Sequence, residues 1–323
     1  MAGKIRRRQP QDGLCHRSRR LRGGNPGAPG GSAMKEHERQ WLPAGRVLGY
    51  AEYGDPAGEP LFYFHGWPSS RYQGKLLDAA AAKNGLRVIA PDRPGFGLSD
   101  PLPGRSFASW PRDVAALADA LGIEQFRVQG VSGGGPYALA TAWGLPERVL
   151  AAAIVCGAPP LAHPGDRAGL HWIYRTLIDL RRLRHTAAGP LIRLSRWMLA
   201  RGRERFPLNC LLHGIPARDR AALADPGCWE SVVRSYLEAV RGGPAELLAE
   251  GELYLAPWDF APEEIRIPIA FWHGLDDRNL PCAAARKLAA RVPGAEAHWV
   301  AGEGHYSLPL HFQNEVLDWL RRH

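Results

Sequence analysis

Gln129-Gly130-Val131-Ser132-Gly133-Gly134-Gly135 is the stretch from which the rest of the chain can be read. It contains Gly-x-Ser-x-Gly as Gly130-Val131-Ser132-Gly133-Gly134. A predicted strand, Phe126-Arg127-Val128-Gln129, stands before it, and helical spacing follows from residue 133 to 143. A serine on so sharp a strand-to-helix turn is held in a strained backbone conformation, and side chains two residues to either side would collide across the turn. Glycine at 130 and 134 removes that collision. The following helix directs its N-terminal N–H groups at charge developing beside the serine. The context predicts an exposed, nucleophilic Ser132, where a Gly-rich βα turn with a bystander serine is the plainer alternative.

Outward from this turn, short apolar runs alternate with helical patterns. Strands are predicted at residues 46–53, 61–65, 86–90, 126–129, 151–156, 267–272 and 296–300. Helices are predicted at 71–84, 110–121, 133–143, 282–291 and 312–321. This alternation predicts an α/β fold, a mainly parallel, doubly wound sheet covered on both faces. Between residues 161 and 260 the rhythm breaks into a strand-poor stretch with helical patterns at 169–183, 190–200, 228–240 and 244–250. The expected organisation is a core of residues 34–160 and 261–323 with an inserted helical lid, residues 161–260. Pro159-Pro160 and the segment from Pro257 to Pro268 read as its joints.

A serine hydroxyl needs a general base. The candidate is His305 in Gly302-Glu303-Gly304-His305-Tyr306, directly after the last predicted strand. An acid to orient it is expected at the end of the preceding strand, where His273-Gly274-Leu275-Asp276-Asp277 offers Asp277 or Asp276. The chain order is serine, aspartate, histidine.

Composition removes other classes. The 323 residues are 45% hydrophobic and 23% charged, a globular profile, and no run is long and apolar enough to span a membrane. Five scattered cysteines, Cys15, Cys156, Cys210, Cys228 and Cys282, contain no C-x-x-C pair. That pattern argues against a disulfide framework or a metal site and for a reducing, cytoplasmic setting. The net charge of +9 sits almost wholly in residues 1–33, which carry eight basic side chains and one acid. The near-neutral remainder gives no phosphate-tracking surface, so no nucleic-acid partner is expected. The Arg-rich, Gly/Pro-rich residues 1–33 are expected to be disordered. Met34 is an alternative start of the protein, and a basic arm is the functional alternative.

With these residues in view the sequence resembles the α/β-hydrolase family from about residue 45 to the end. Four blocks carry the resemblance: His65-Gly66-Trp67-Pro68; Asp92-Arg93-Pro94-Gly95-Phe96-Gly97-Leu98-Ser99; the Ser132 turn; and the Asp277 and His305 blocks. The resemblance implies a Ser132–Asp277–His305 triad, since the acid usually stands three residues after the glycine of the His-Gly block. It implies an oxyanion hole from the backbone N–H groups of Trp67 and Gly133, with no cofactor and no metal. His65, Asp92 and Arg93 are implied to brace loops. In the related haloalkane dehalogenases and epoxide hydrolases the nucleophile is aspartate; serine here implies an acyl-enzyme.

The expected activity is hydrolysis of a small or medium ester-like molecule. Rivals on the same triad are a carbon–carbon bond hydrolase, an iminopeptidase-type peptidase and a haloperoxidase-like enzyme; a ligand-binding protein on this scaffold is the non-enzyme rival. The lid segment is rich in Trp172, Tyr174, Arg175, Arg181, Arg182, Arg184, Trp197, Trp229, Tyr236 and Trp258. These suggest either an aromatic acyl pocket with an arginine for a substrate carboxylate or ordinary amphipathic helices.

Overall fold

The structure is a computed structural model that describes residues 35–43, 45–179, 188–202 and 214–323. The basic segment 1–33 and its alternative start Met34, together with Arg181, Arg182 and Arg184, lie outside the described residues.

Eight strands form one sheet: β1 (Lys35–Trp41), β2 (Val47–Gly54), β3 (Glu59–Phe64), β4 (Leu86–Pro91), β5 (Phe126–Val131), β6 (Val149–Val155), β7 (Ile269–Gly274) and β8 (Glu296–Val300). They lie in the order β1-β2-β4-β3-β5-β6-β7-β8. β2 runs antiparallel to both β1 and β4, and the other neighbours pair in parallel. The central strands are buried on both faces, and β6, VLAAAIV, reads as a continuous apolar run for that reason. Along β3, Phe62 and Phe64 enter one core cluster while Leu61 and Tyr63 enter the other. The period of two divides each strand between the two faces.

Helices cover both faces. α2 (Trp110–Ala120) and α3 (Gly135–Gly144) pack on one, burying Trp110, Val114, Leu117 and Tyr137. On the other lie α1 (Asp78–Lys83), with Ala81, and a C-terminal helix (Gln313–Arg322) that contributes Val316, Leu317 and Leu320. Between β6 and β7 the described chain is helical: α4 (Trp172–Asp179), α5 (Gly189–Leu199), α6 (Ala217–Ala224), α7 (Pro226–Ala239) and α8 (Ala245–Leu255). Beyond β7 come α9 (Cys282–Ala289), α10 (Ser307–His311) and α11, the C-terminal helix already described.

The sheet differs from the expectation in having β1, whose polar sequence KEHERQW lines an edge with alternating exposure. A half-solvated edge strand needs no apolar residues, so it left no hydrophobic signal. The helix expected over 71–84 is a 3-10 segment, Arg71–Leu77, followed by α1.

Candidate active site

The Ser132 turn is built as its residues require. Ser132 directly follows β5 with φ of 53°, in the left-handed region that non-glycine residues rarely occupy. A Cβ at Gly130 would meet the Gly134 carbonyl oxygen at 2.5 Å and the Ala138 Cβ at 2.7 Å. Gly134 presses against the Phe64 carbonyl, where no side chain fits. The turn thus lifts Ser132 to the carboxyl end of the sheet, with α3 starting behind it.

His305 stands in the loop between β8 and α10. Its Nε2 is 2.9 Å from Ser132 Oγ, and its Nδ1 is 2.8 Å from Asp277 Oδ2. Asp277 Oδ1 accepts from the backbone N–H groups of Asn279 and Leu280, each at 2.8 Å. The structure therefore brings Ser132, His305 and Asp277 into one hydrogen-bonded chain. Asp276, by contrast, is exposed and turned out of it.

Burial acts against charge on both partners. On His305, desolvation disfavours the imidazolium, but the Asp277 charge and hydrogen bond, with Asp219 behind them, outweigh it and raise the pKa above its ordinary value. On Asp277, desolvation favours the acid, yet the neighbouring His305 and His273 and the Leu280 N–H hold the pKa below the usual carboxylate value. His273 Nε2 is 2.8 Å from the Leu280 carbonyl and 3.3 Å from Asp277 Oδ2. Its burial lowers the pKa and keeps the ring neutral.

The backbone N–H groups of Trp67 and Gly133 come from two turns, one facing Ser132 and one carrying it. In one, Gly66 comes close enough that a Cβ there would sit 3.4 Å from the Ser132 Cβ, and the next residue is Trp67. In the other, a Cβ at Gly133 would lie 3.0 Å from the Trp67 nitrogen, so the two backbones abut. Each of these N–H groups belongs to a peptide whose carbonyl is engaged. The Gly66 carbonyl accepts from Arg93 Nη2 and from His65 Nδ1, both at 2.9 Å, and the Ser132 carbonyl accepts from Ala158 N–H at 2.8 Å. Hydrogen bonding at the carbonyl polarises a peptide and makes its N–H a better donor.

His65 makes that contact while wholly buried, and burial followed by the Arg93 charge lowers its pKa well below 6.5. Asp92 accepts from Arg71 N and Arg71 Nη1 at 2.7 Å and from Leu98 N at 3.0 Å, so it holds the Gly95–Gly97 turn. Arg93 also donates to the His65 carbonyl and lies 2.7 Å from Glu250 Oε1 on α8. The Tyr254 hydroxyl, one turn further along α8, is 2.9 Å from Glu250 Oε1 and 2.8 Å from the Gly133 carbonyl, and donates to one of them at a time.

Ser132 and His305 open onto a cavity of about 500 Å³ between the strand ends and the helices after β6. Its wall is mainly apolar, with Trp67, Leu161, Ile192, Leu199, Leu247 and Leu280 among its residues. No lysine or arginine lines it among the described residues, and Glu252 is the one carboxylate. Trp172, Tyr174 and Tyr236 line it; Arg175 is exposed and does not, and Trp258 instead packs on Phe107 and Phe260. One trio of described residues, Cys156, Asp277 and His305, has donor atoms within 4.8 Å of one another, as a metal would need. The Asp277 and His305 atoms that face each other there are already joined by their hydrogen bond.

Sequence reasoning missed Asp219, Glu250 and Tyr254. Asp219 stands among the polar residues of ARDRAALA, and Glu250 and Tyr254 lie in AELLAEGELYL beside other polar groups, so no local pattern singled them out.

A model of the α/β hydrolase fold family matches residues 59–312. The chain belongs to that family and is a hydrolase. It is 30% identical over 275 residues to 2-hydroxymuconate semialdehyde hydrolase of Pseudomonas putida, covering 83% of this chain and 88% of that protein. It is 26% identical over 249 residues to the bifunctional esterase/perhydrolase DCH of Acinetobacter calcoaceticus, covering 75% and 83%. Among solved structures, an esterase from Exiguobacterium antarcticum superposes with a TM-score of 0.67 at 16% identity, over 88% of this chain and 99% of that one. Among the described residues no helix is long and apolar enough to cross a membrane.

Proposed function

We propose that the protein is a serine esterase for neutral, apolar esters. Ser132 Oγ attacks the ester carbonyl while His305 Nε2 takes its proton, and Asp277 holds the imidazole tautomer and stabilises the imidazolium. The Trp67 and Gly133 N–H groups receive the oxyanion. His305 then protonates the departing alcohol, and a water deprotonated by His305 cleaves the acyl-enzyme to acid and free Ser132. The helices after β6 serve as the lid that shields these steps from bulk water.

The observation that carries this reading is the unbroken Ser132–His305–Asp277 hydrogen-bond chain opening onto an apolar cavity with no cation among its described lining residues. At about 500 Å³ the cavity has the size of an ordinary small-molecule site. The similarity to 2-hydroxymuconate semialdehyde hydrolase favours carbon–carbon cleavage as a second reading. A muconate-type anion, however, would enter this cavity without a counter-charge from the described wall, at a high desolvation cost.

The test is a set of p-nitrophenyl esters of increasing acyl length, run beside a meta-cleavage diketone and a proline amide. Esters are expected to be turned over fastest, with kcat/KM rising from acetate to medium-length chains. Faster turnover of the diketone would replace the ester reading with the carbon–carbon one.

A further inference from the structure

Asp219 is a wholly buried carboxylate on α6, outside the Ser–His–Asp chain. Among the described residues it is held by backbone, accepting three N–H bonds. Its Oδ2 takes the N–H of His305 at 2.9 Å, and its Oδ1 takes those of Tyr306 at 2.9 Å and Ser307 at 2.8 Å. These are the residue carrying the base and the first turn of α10. Gly304 is shaped to the contact, because a Cβ there would overlap the Asp219 carboxylate. The neighbouring Arg218 pairs with Glu303, at the other side of the same loop. A carboxylate bound by several N–H groups is strongly oriented, and charge-assisted bonds of this kind are about twice as strong as neutral ones.

We propose that Asp219 is a positioning residue for His305: from the helical insertion it fixes the base's backbone and lends its negative charge to the imidazolium. The proposal rests on the esterase reading only for its effect on turnover, since the effect on the imidazole itself exists without any substrate. Around His305, Asp277, Ser132 and Cys156 lie at the ring, His273 lies behind Asp277, and Tyr306 and Glu303 flank it in the chain. Asp219 is the carboxylate, besides Asp277, that raises the proton affinity of His305.

The test compares Asp219→Asn with Asp225→Asn. Asp225 also caps backbone, accepting from Cys228 N at 2.8 Å at the start of α7, so it reports on general loosening of the insertion. Asparagine at 219 keeps one acceptor but turns an NH2 on the His305 N–H. Asp219→Asn is expected to lower kcat about tenfold or more, as loss of catalytic alignment does, and to move the acid limb of kcat/KM to lower pH. Asp225→Asn is expected to leave both where they are.

If Asp219→Asn does not fold, Gly304→Ala tests the same contact by displacing the carboxylate, with the same two effects expected. In parallel, the His305 ring is titrated by NMR in Ser132→Ala protein with and without Asp219→Asn; the second variant should titrate at lower pH. An unmoved acid limb and an unmoved imidazole titration would overturn the proposal, even with reduced kcat. Esterase activity surviving in Ser132→Ala would instead overturn the catalytic reading and leave the NMR result to judge Asp219 alone.

Discussion

Arg93 and Glu250 meet at 2.7 Å with both side chains wholly buried, and the guanidinium also holds the carbonyls of His65 and Gly66. The ion pair therefore ties α8 to the turn that presents the Trp67 N–H. Removing one member of a buried pair leaves an uncompensated charge and costs about 3–5 kcal/mol. Glu250→Gln is expected to destabilise the fold by that order. Replacing both, as Arg93→Met with Glu250→Leu, should restore most of the stability while kcat stays low, because the Gly66 carbonyl loses its cationic donor. Denaturant unfolding together with kcat on a chromogenic ester checks both statements. A double variant with native kcat would confine the pair to a folding role.

The two adjacent aspartates should behave very differently. Asp277 is buried against His305, whereas Asp276 is exposed. Asp277→Asn removes the imidazolium's counter-charge and favours the wrong tautomer, so kcat is expected to fall by up to about 10⁴-fold. Asp276→Asn should change kcat by less than about twofold, as surface substitutions do. The opposite ranking in steady-state kinetics would move the acid role to Asp276.

The pH profile follows from the direction of the His305 shift. Only neutral His305 can accept the Ser132 proton, and its pKa lies above the ordinary 6.5 because the two carboxylates outweigh burial. Activity is thus lost as pH falls through that raised value: kcat/KM should show a one-proton acid limb with its midpoint above pH 6.5. Asp277, whose pKa is held below 3.8, stays charged throughout this range and adds no second limb. A midpoint well below 6.5 would contradict the assignment of His305 as the base.

Gly251 lies within α8 beside the cavity, and a Cβ there would stand 3.4 Å from Trp67 Cζ2, within ordinary contact. Glycine inside a helix costs about 1 kcal/mol relative to alanine. Gly251→Ala is expected to raise Tm by about 2 °C. Gly251→Leu should fill the space beside Trp67 and shift the ester preference to shorter acyl chains. Thermal melts and the ester series read the two effects separately.

Much of the core was legible from local pattern. Glu296–Val300 occupies the expected span, and Trp110–Ala120 and Ile269–Gly274 fall within two residues of theirs; the last two are an amphipathic helix and a buried strand, whose faces show in apolar spacing. The Ser132 turn was legible because steric exclusion at Gly130 and Gly134 leaves only glycine possible. β1 was not legible, since its edge position asks little of its side chains. α6, with the sequence ARDRAALA, was also missed: its mean character is polar. Asp219 meets His305 across 86 residues of chain, and nothing in either segment encodes that meeting locally. The arginine imagined for a substrate carboxylate has no counterpart among the described cavity-lining residues.

The insertion after β6 divides its labour along its length. α4 and α5 give the cavity wall Trp172, Leu191, Leu194 and Met198, of which the first three are also exposed and form its rim. α6 reaches the His305 loop, and α8, besides lining the wall, reaches the Gly133 backbone through Tyr254 and, by way of the Glu250–Arg93 pair, that of Gly66. On the esterase reading, α4 and α5 can therefore be exchanged to explore new acyl groups without disturbing the reacting atoms. The same freedom does not extend to α6 and α8, so grafting a whole foreign insertion onto this core would bring a new pocket and dismantle the supports of the chemistry beneath it.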